Sequence, residues 1–238
     1  MTTAQAEVLD ERAARAVVVR EAWAVGIATA AYGISFGALA VAAGLDVWQA
    51  CFLSLVMFTG GSQYALVGVL ASGGVAAGPT AIASAALLGS RNAIYGMRMA
   101  SVLGGRWWTR LAAAWGTIDE STAVALAQPT AHLRRVGFWV TAAVIFVGWN
   151  LTTLIGALIG DALGDPRVYG LDAAAAAAFL ALLWPRLKRV QASAVAVAAA
   201  LVATMLTPVL MPGLPVLVAA LVAVIVGAFN WLGREERA

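Results

Sequence analysis

Apolar residues fall in blocks of about twenty along this chain, a length that spans a bilayer's hydrocarbon core as a helix. The blocks predict helices over 22–43, 48–71, 76–98, 109–128, 137–160, 171–187, 190–209 and 213–232. Breaker clusters separate them: Leu45-Asp46, Ser72-Gly73-Gly74, Gly104-Gly105-Arg106, Gln128-Pro129, Gly164-Asp165-Pro166 and Met211-Pro212-Gly213. The run 171–187 is short and ends near Pro185, and 109–128 is the most polar. The pattern predicts an all-α integral membrane protein, a polytopic bundle of about seven to eight transmembrane segments.

Composition sharpens this. Of 238 residues, 62% are hydrophobic and 11% charged, against roughly 25% charged in an average soluble domain. The expected organisation is a cytoplasmic N-terminal segment (1–21), one transmembrane domain (22–232) and a cytoplasmic tail (233–238). The first 21 residues carry Asp10, Glu11, Arg12, Arg15 and Arg20 without a continuous apolar core, unlike a cleavable signal peptide.

Basic residues in the N-terminal segment, at Arg134-Arg135, at Arg186 to Arg189 and at Arg234 and Arg237 place those stretches in the cytoplasm by the positive-inside rule. Eight crossings satisfy all four. They also put Arg98, Arg106 and Arg110 near the outer face, a conflict that a re-entrant segment between 48 and 128 would remove. Trp48, Trp107, Trp108, Trp139, Trp184 and Trp231 stand near predicted helix ends, as in an interfacial aromatic belt. Glycines at 33, 37, 44, 148, 156, 160 and 164 suit close helix packing. The first and fifth spans share this glycine spacing, and each leads to an Ala-rich helix with Phe52 or Phe179, a hint of internal repetition.

The chemistry lies in three polar clusters inside apolar runs. In Phe58-Thr59-Gly60-Gly61-Ser62-Gln63-Tyr64, adjacent glycines each weaken a helix by ~1 kcal/mol and predict a broken helix near Gly60-Gly61. The freed backbone groups need partners, since lipid offers none. Ser62 is placed to cap the second half-helix, whose partly positive N-terminus suits a carboxylate. Gln63 offers donors and acceptors. In the second cluster, helical spacing puts Ser84, Arg91, Tyr95 and Arg98 on one face. Arg91 either clamps a substrate carboxylate or pairs with an acid of the third cluster, Thr117-Ile118-Asp119-Glu120-Ser121-Thr122. Neighbouring helical residues diverge by about 100°, so Asp119 and Glu120 do not share one partner. One pairs with an arginine and the other carries a proton, or both sit in a re-entrant helix facing water. A charge at the bilayer centre costs at least ~2.5–3.5 kcal/mol, so such groups mark partners, cavities or solute paths.

These clusters resemble the AzlC family, the larger subunit of bacterial branched-chain amino acid exporters. The resemblance rests on Phe58 with Gly60-Gly61-Ser62-Gln63-Tyr64, on Arg91 with Tyr95-Gly96, on Asp119-Glu120, and on the stretch from Gly170-Leu171-Asp172 to Phe179. It spans most of 20–230. Asn92 stands where the family usually has histidine, which removes a proton role there. Gly61 replaces an alanine and is expected only to loosen the turn.

The resemblance implies a secondary transporter in the bacterial inner membrane that exports branched-chain or similar small apolar amino acids. It also implies a separately encoded small AzlD-type membrane subunit. The expected substrate-binding residues are Gly60, Gly61, Ser62, Gln63, Arg91, Asn92 and Tyr95. The expected proton-coupling or ion-pair residues are Asp119, Glu120 and Arg91.

Other classes fare worse. No concentrated basic face suits nucleic acid, no phosphate-binding loop suits ATP, and no cofactor or metal site is expected. The single histidine, His132, lies in a linker, and Cys51 is the only cysteine, which leaves an intramembrane hydrolase without a convergent nucleophile and base. A scaffold or passive-channel subunit is the alternative.

Overall fold

The computed structural model describes residues 3–164, 180, 183–184, 187–188, 190–211 and 214–229, with side chains from residue 11 onward. Every described element is a helix: α1 (Thr3–Ala42), α2 (Val47–Val56), α3 (Gly60–Gly73), a 3-10 turn (Val75–Ala77), α4 (Gly78–Leu103), α5 (Trp107–Gly116), α6 (Asp119–Ala127), α7 (Ala131–Leu163), α8 (Val190–Leu206) and α9 (Leu214–Phe229). The predicted span 171–187, with the motif stretch 170–179, and the tail 233–238 lie wholly or largely outside the described residues.

Among the described residues, two helices are long and apolar enough to cross a membrane: Glu11–Ala42 within α1, and α7. The expected seven to eight crossings are not matched among the described helices: α4 (26 residues) is long but not apolar enough, α8 (17) and α9 (16) are shorter, and two apolar blocks divide. The run 48–71 divides into α2 and α3, and 109–128 divides into α5 and α6. At 1.5 Å per residue these pieces of 9 to 14 residues reach only about 14–21 Å, short of a ~30 Å hydrocarbon core. The N-terminal segment is not a separate helix, since α1 continues through it to Ala42.

Local signals explain the boundaries. Asp46 caps α2 in a reciprocal pair: its Oδ1 accepts from Gln49 N at 2.8 Å, and its own N–H donates to Gln49 Oε1 at 3.0 Å. Pro79 stands in the first turn of α4, where its missing N–H costs nothing. Thr130 Oγ1 accepts from Leu133 N at 3.3 Å and starts α7.

The bundle is organised by α1 against α7, the most extensive helix pair. A Cβ on Gly37 would collide with the Thr153 carbonyl, and one on Gly156 with that of Ile34. Glycine lets the two backbones touch, and packing in lipid depends on such contacts. Thr152 Oγ1 donates across the seam to Ala30 O at 2.6 Å. The outward faces carry Trp23, Ile27, Ile34, Val147, Leu151, Ile155 and Leu158, an apolar surface far larger than a water-soluble monomer exposes. Inside, Phe36, Phe58, Tyr64, Ile118, Ile145 and Trp149 belong to one core cluster.

Candidate functional site

The first helix break falls at Met57-Phe58-Thr59, immediately before Gly60. Thr59 is the N-cap residue of α3, with extended backbone and no side-chain capping bond. Ser62, expected in that role, is instead a buried residue within the first turn, with Thr59 Oγ1 donating to its Oγ at 3.5 Å. Gln63 repairs the break. Its Nε2 donates to Met57 O and, at 3.4 Å, to Ser54 O, carbonyls that the end of α2 leaves without helical donors. Its Oε1 accepts from Trp149 Nε1 at 2.8 Å. The amide that reads in sequence as a ligand group is fully buried and joins α2, α3 and α7.

The second break, at Thr117-Ile118, is mended in a similar way. Ser121 Oγ accepts from Ile118 N at 3.1 Å and donates to Gly116 O at 2.7 Å. Thr117 Oγ1 donates to Ala113 O at 2.6 Å. Asp119 and Glu120 occupy the first turn of α6, where the helix dipole favours negative charge. The two breaks touch. Trp115 Nε1 donates to Val56 O at 3.4 Å, and the Trp115 ring packs on Phe58 and Phe146 with centroids 5.5 and 4.5 Å away.

Where the breaks meet lies a cavity of about 120 Å³. This is near the ~150 Å³ that holds a benzene-sized guest and below the ~300–1,000 Å³ of drug-sized sites, so the space suits a small solute. Its wall is mixed in character. Thr29, Thr59, Arg91, Asp119 and Glu120 supply polar groups, and Phe58, Ile118, Ile145 and Trp149 supply apolar surface; Gly60, Gly61, Tyr32 and Tyr64 complete it. Tyr64 donates its hydroxyl to Tyr32 O at 2.8 Å, which ties α3 to α1 beside the cavity.

Arg91 Nη1 lies 3.0 Å from Asp119 Oδ2, with both side chains mostly covered. The pairing left open by the sequence thus goes to Asp119, because the start of α6 turns that side chain toward α4. Arg91 Nε is buried with no hydrogen-bond partner among the described residues, so the guanidinium retains a donor. Gly61 does more than loosen a turn: a Cβ there would come within 2.8 Å of Arg91 Nη2. Glycine lets the guanidinium lie against the start of α3.

Of the residues singled out from the sequence, Gly60, Gly61, Arg91, Asp119 and Glu120 line this cavity. Ser62, Gln63, Asn92 and Tyr95 do not line it. Arg98 lies exposed near the end of α4. The residues that sequence reasoning missed come from α1 and α7: Thr29, Tyr32, Ile145 and Trp149. One signal was available for Trp149, which sits in the middle of a predicted span, away from the ends where interfacial tryptophans gather.

No curated protein and no solved structure matches this chain. A family model described as AzlC protein matches residues 24–163, from α1 through the end of α7, and so contains both helix breaks and every residue of the cavity. The later motif stretch 170–179 lies beyond the match. With more than half its length matched, and with the three polar clusters inside that range, the chain belongs to the AzlC family of membrane-transport proteins.

Proposed function

We propose that the chain is a secondary-transporter subunit that exports branched-chain or similar small apolar amino acids from the bacterial cytoplasm, coupled to protons. The observation that carries this reading is the cavity at the junction of two broken helices, lined by both charged and apolar residues. Its charged lining residues match the ammonium and carboxylate of an amino acid, and its apolar ones a short hydrocarbon side chain. Broken helices that present half-helix N-termini to a small polar solute are a recurrent transporter design.

In this reading the substrate carboxylate approaches Arg91 and the N–H of Gly61, which lies against the guanidinium, where the start of α3 adds partial positive charge. Arg91 lines the cavity, which supports that role. The ammonium lies toward Asp119 and Glu120. Glu120, which lines the cavity from the first turn of α6, takes the proton-linked role. Ser62, Gln63, Asn92 and Tyr95 support the wall. The pairs α2–α3 and α5–α6 each enter the bilayer as a broken span, which restores a polytopic arrangement of about seven to eight segments with the N-terminus in the cytoplasm. A small AzlD-type subunit completes the transporter.

The test is efflux of labelled leucine, valine or isoleucine from proteoliposomes under an imposed pH gradient, with and without the small subunit. Efflux above that of empty vesicles, abolished by collapsing the gradient, is the expected result. No efflux of any of the three in either condition refutes the proposal.

A further inference from the structure

We infer that Trp149 is the wall that sets the longest side chain the cavity accepts, and that Gln63 is the positioning residue that holds it there; the inference rests on the amino-acid reading of the cavity. Trp149 is buried, and its indole is fixed on several sides. Its Nε1–H is committed to Gln63 Oε1 at 2.8 Å. Its ring stacks on Phe36 at 6.1 Å between centroids and meets Tyr64 edge-on at 6.3 Å. The Gln63 amide is in turn anchored on the carbonyls that end α2. This tryptophan therefore has little freedom to swing aside for a larger guest.

The far edge of the indole faces Gly60 at the cavity. A Cβ on Gly60 would stand 2.9 Å from Trp149 Cη2, 3.3 Å from Cζ2 and 3.5 Å from Cζ3. Backbone of α3 and ring of α7 are thus already in contact with no atom to spare. The charged groups that would orient an amino acid, Arg91 and Asp119, belong to α4 and α6. The indole, on α7, lines the same cavity. Gly61 lies against Arg91 and Gly60 against Trp149, so in the inferred pose the charged end sits at Arg91 and Asp119, the side chain reaches toward Trp149 and Ile145, and the indole limits its length.

The contact can be tested from both sides. Trp149→Phe removes the distal indole atoms and lengthens the space, while Gly60→Ala adds a methyl group against those same atoms. Full-length chain, co-reconstituted with the small subunit, is assayed for competitive export of L-valine, L-leucine, L-phenylalanine and L-tryptophan. One methylene in an apolar pocket is worth about tenfold or more in discrimination. Trp149→Phe is expected to raise the phenylalanine-to-leucine ratio by about tenfold, and Gly60→Ala to lower leucine against valine by a similar factor. In the Trp149→Phe background, Gly60→Ala is expected to have no such effect, because its collision partners are gone. Gln63→Leu is expected to shift the ratio in the same direction as Trp149→Phe.

Ratios among solutes do not depend on how much protein folds, so a poorly folding variant still reports. Unchanged ratios in both single variants, with the unchanged chain exporting leucine, overturn the wall. Equal action of Gly60→Ala in both backgrounds overturns the contact as the size limit. Equal scaling of all four rates by Gln63→Leu assigns that residue a purely structural role and overturns its positioning one. No export of any of the four by the unchanged chain overturns the functional reading itself, and this inference with it.

Discussion

Replacing Arg91 by glutamine removes the cation 3.0 Å from Asp119 and leaves a carboxylate behind in a mostly covered site. Two unit charges about 4 Å apart attract by about 4 kcal/mol at an effective dielectric near 20. The two side chains are 29% and 25% exposed. Discounting that share for solvent screening leaves about 3 kcal/mol of mutual stabilisation. Unfolding in mixed detergent micelles, run as a cycle over Arg91→Gln, Asp119→Asn and the double variant, measures the coupling directly. Each single variant is expected to unfold more readily, and the double variant to recover most of the loss. A coupling below about 0.5 kcal/mol would place the pair among exposed ion pairs of little consequence and refute the electrostatic argument. Export is the second measurement. Replacing a buried pair by apolar residues of similar volume is often neutral for stability, so Arg91→Met with Asp119→Leu is expected to fold but not to export. Leucine efflux at the unchanged rate from that double variant would reduce the pair to a helix-to-helix tie.

Three further outcomes are expected. Gly156→Val, which drives a side chain into the Ile34 carbonyl, should cost about 3 kcal/mol, the upper end of overpacking, whereas Gly227→Ala on α9, with nothing within 4 Å of the new methyl, should stay within about 0.5 kcal/mol; unfolding midpoints in detergent compare them. Glu120→Gln should abolish export driven by a pH gradient while leucine–leucine exchange continues, and gradient-driven export at the original rate would remove Glu120 from proton coupling. Trp115→Phe should keep the ring contacts to Phe58 and Phe146 and lose less than about 1 kcal/mol with the long bond to Val56 O, while Trp115→Ala should lose in addition about 1–3 kcal/mol from two aromatic pairs, both read from the same unfolding curves.

Much of this protein is written in local terms. Runs of apolar residues demand helices, because a backbone in lipid satisfies its hydrogen bonds only within itself. Adjacent glycines mark the first break, and charges inside apolar runs mark Arg91, Asp119 and Glu120 as residues with partners. Glycine spacing marked both spans for close packing, and the fold shows that they pack on each other, with a carbonyl where a side chain on Gly37 or Gly156 would stand.

Other features depend on distance in space rather than in sequence. The second break carries no glycine pair or proline; Thr117 and Ser121 stabilise it by bonds to the carbonyls of Ala113 and Gly116, and hydroxyls at those positions are equally compatible with a continuous helix. Gln63 has the same amide whether it binds a solute or a chain end, and only the packing of α7 delivers the Trp149 N–H that occupies it. Asp119 and Glu120 are neighbours in sequence, and the angle at which α6 meets α4 decides which one reaches Arg91. Sequence by itself determined a helical membrane protein with polar groups inside it. Tertiary structure decided which of those groups enclose a cavity and which hold its walls, because a hydrogen bond or ion pair exists only where the fold brings both partners within about 3 Å.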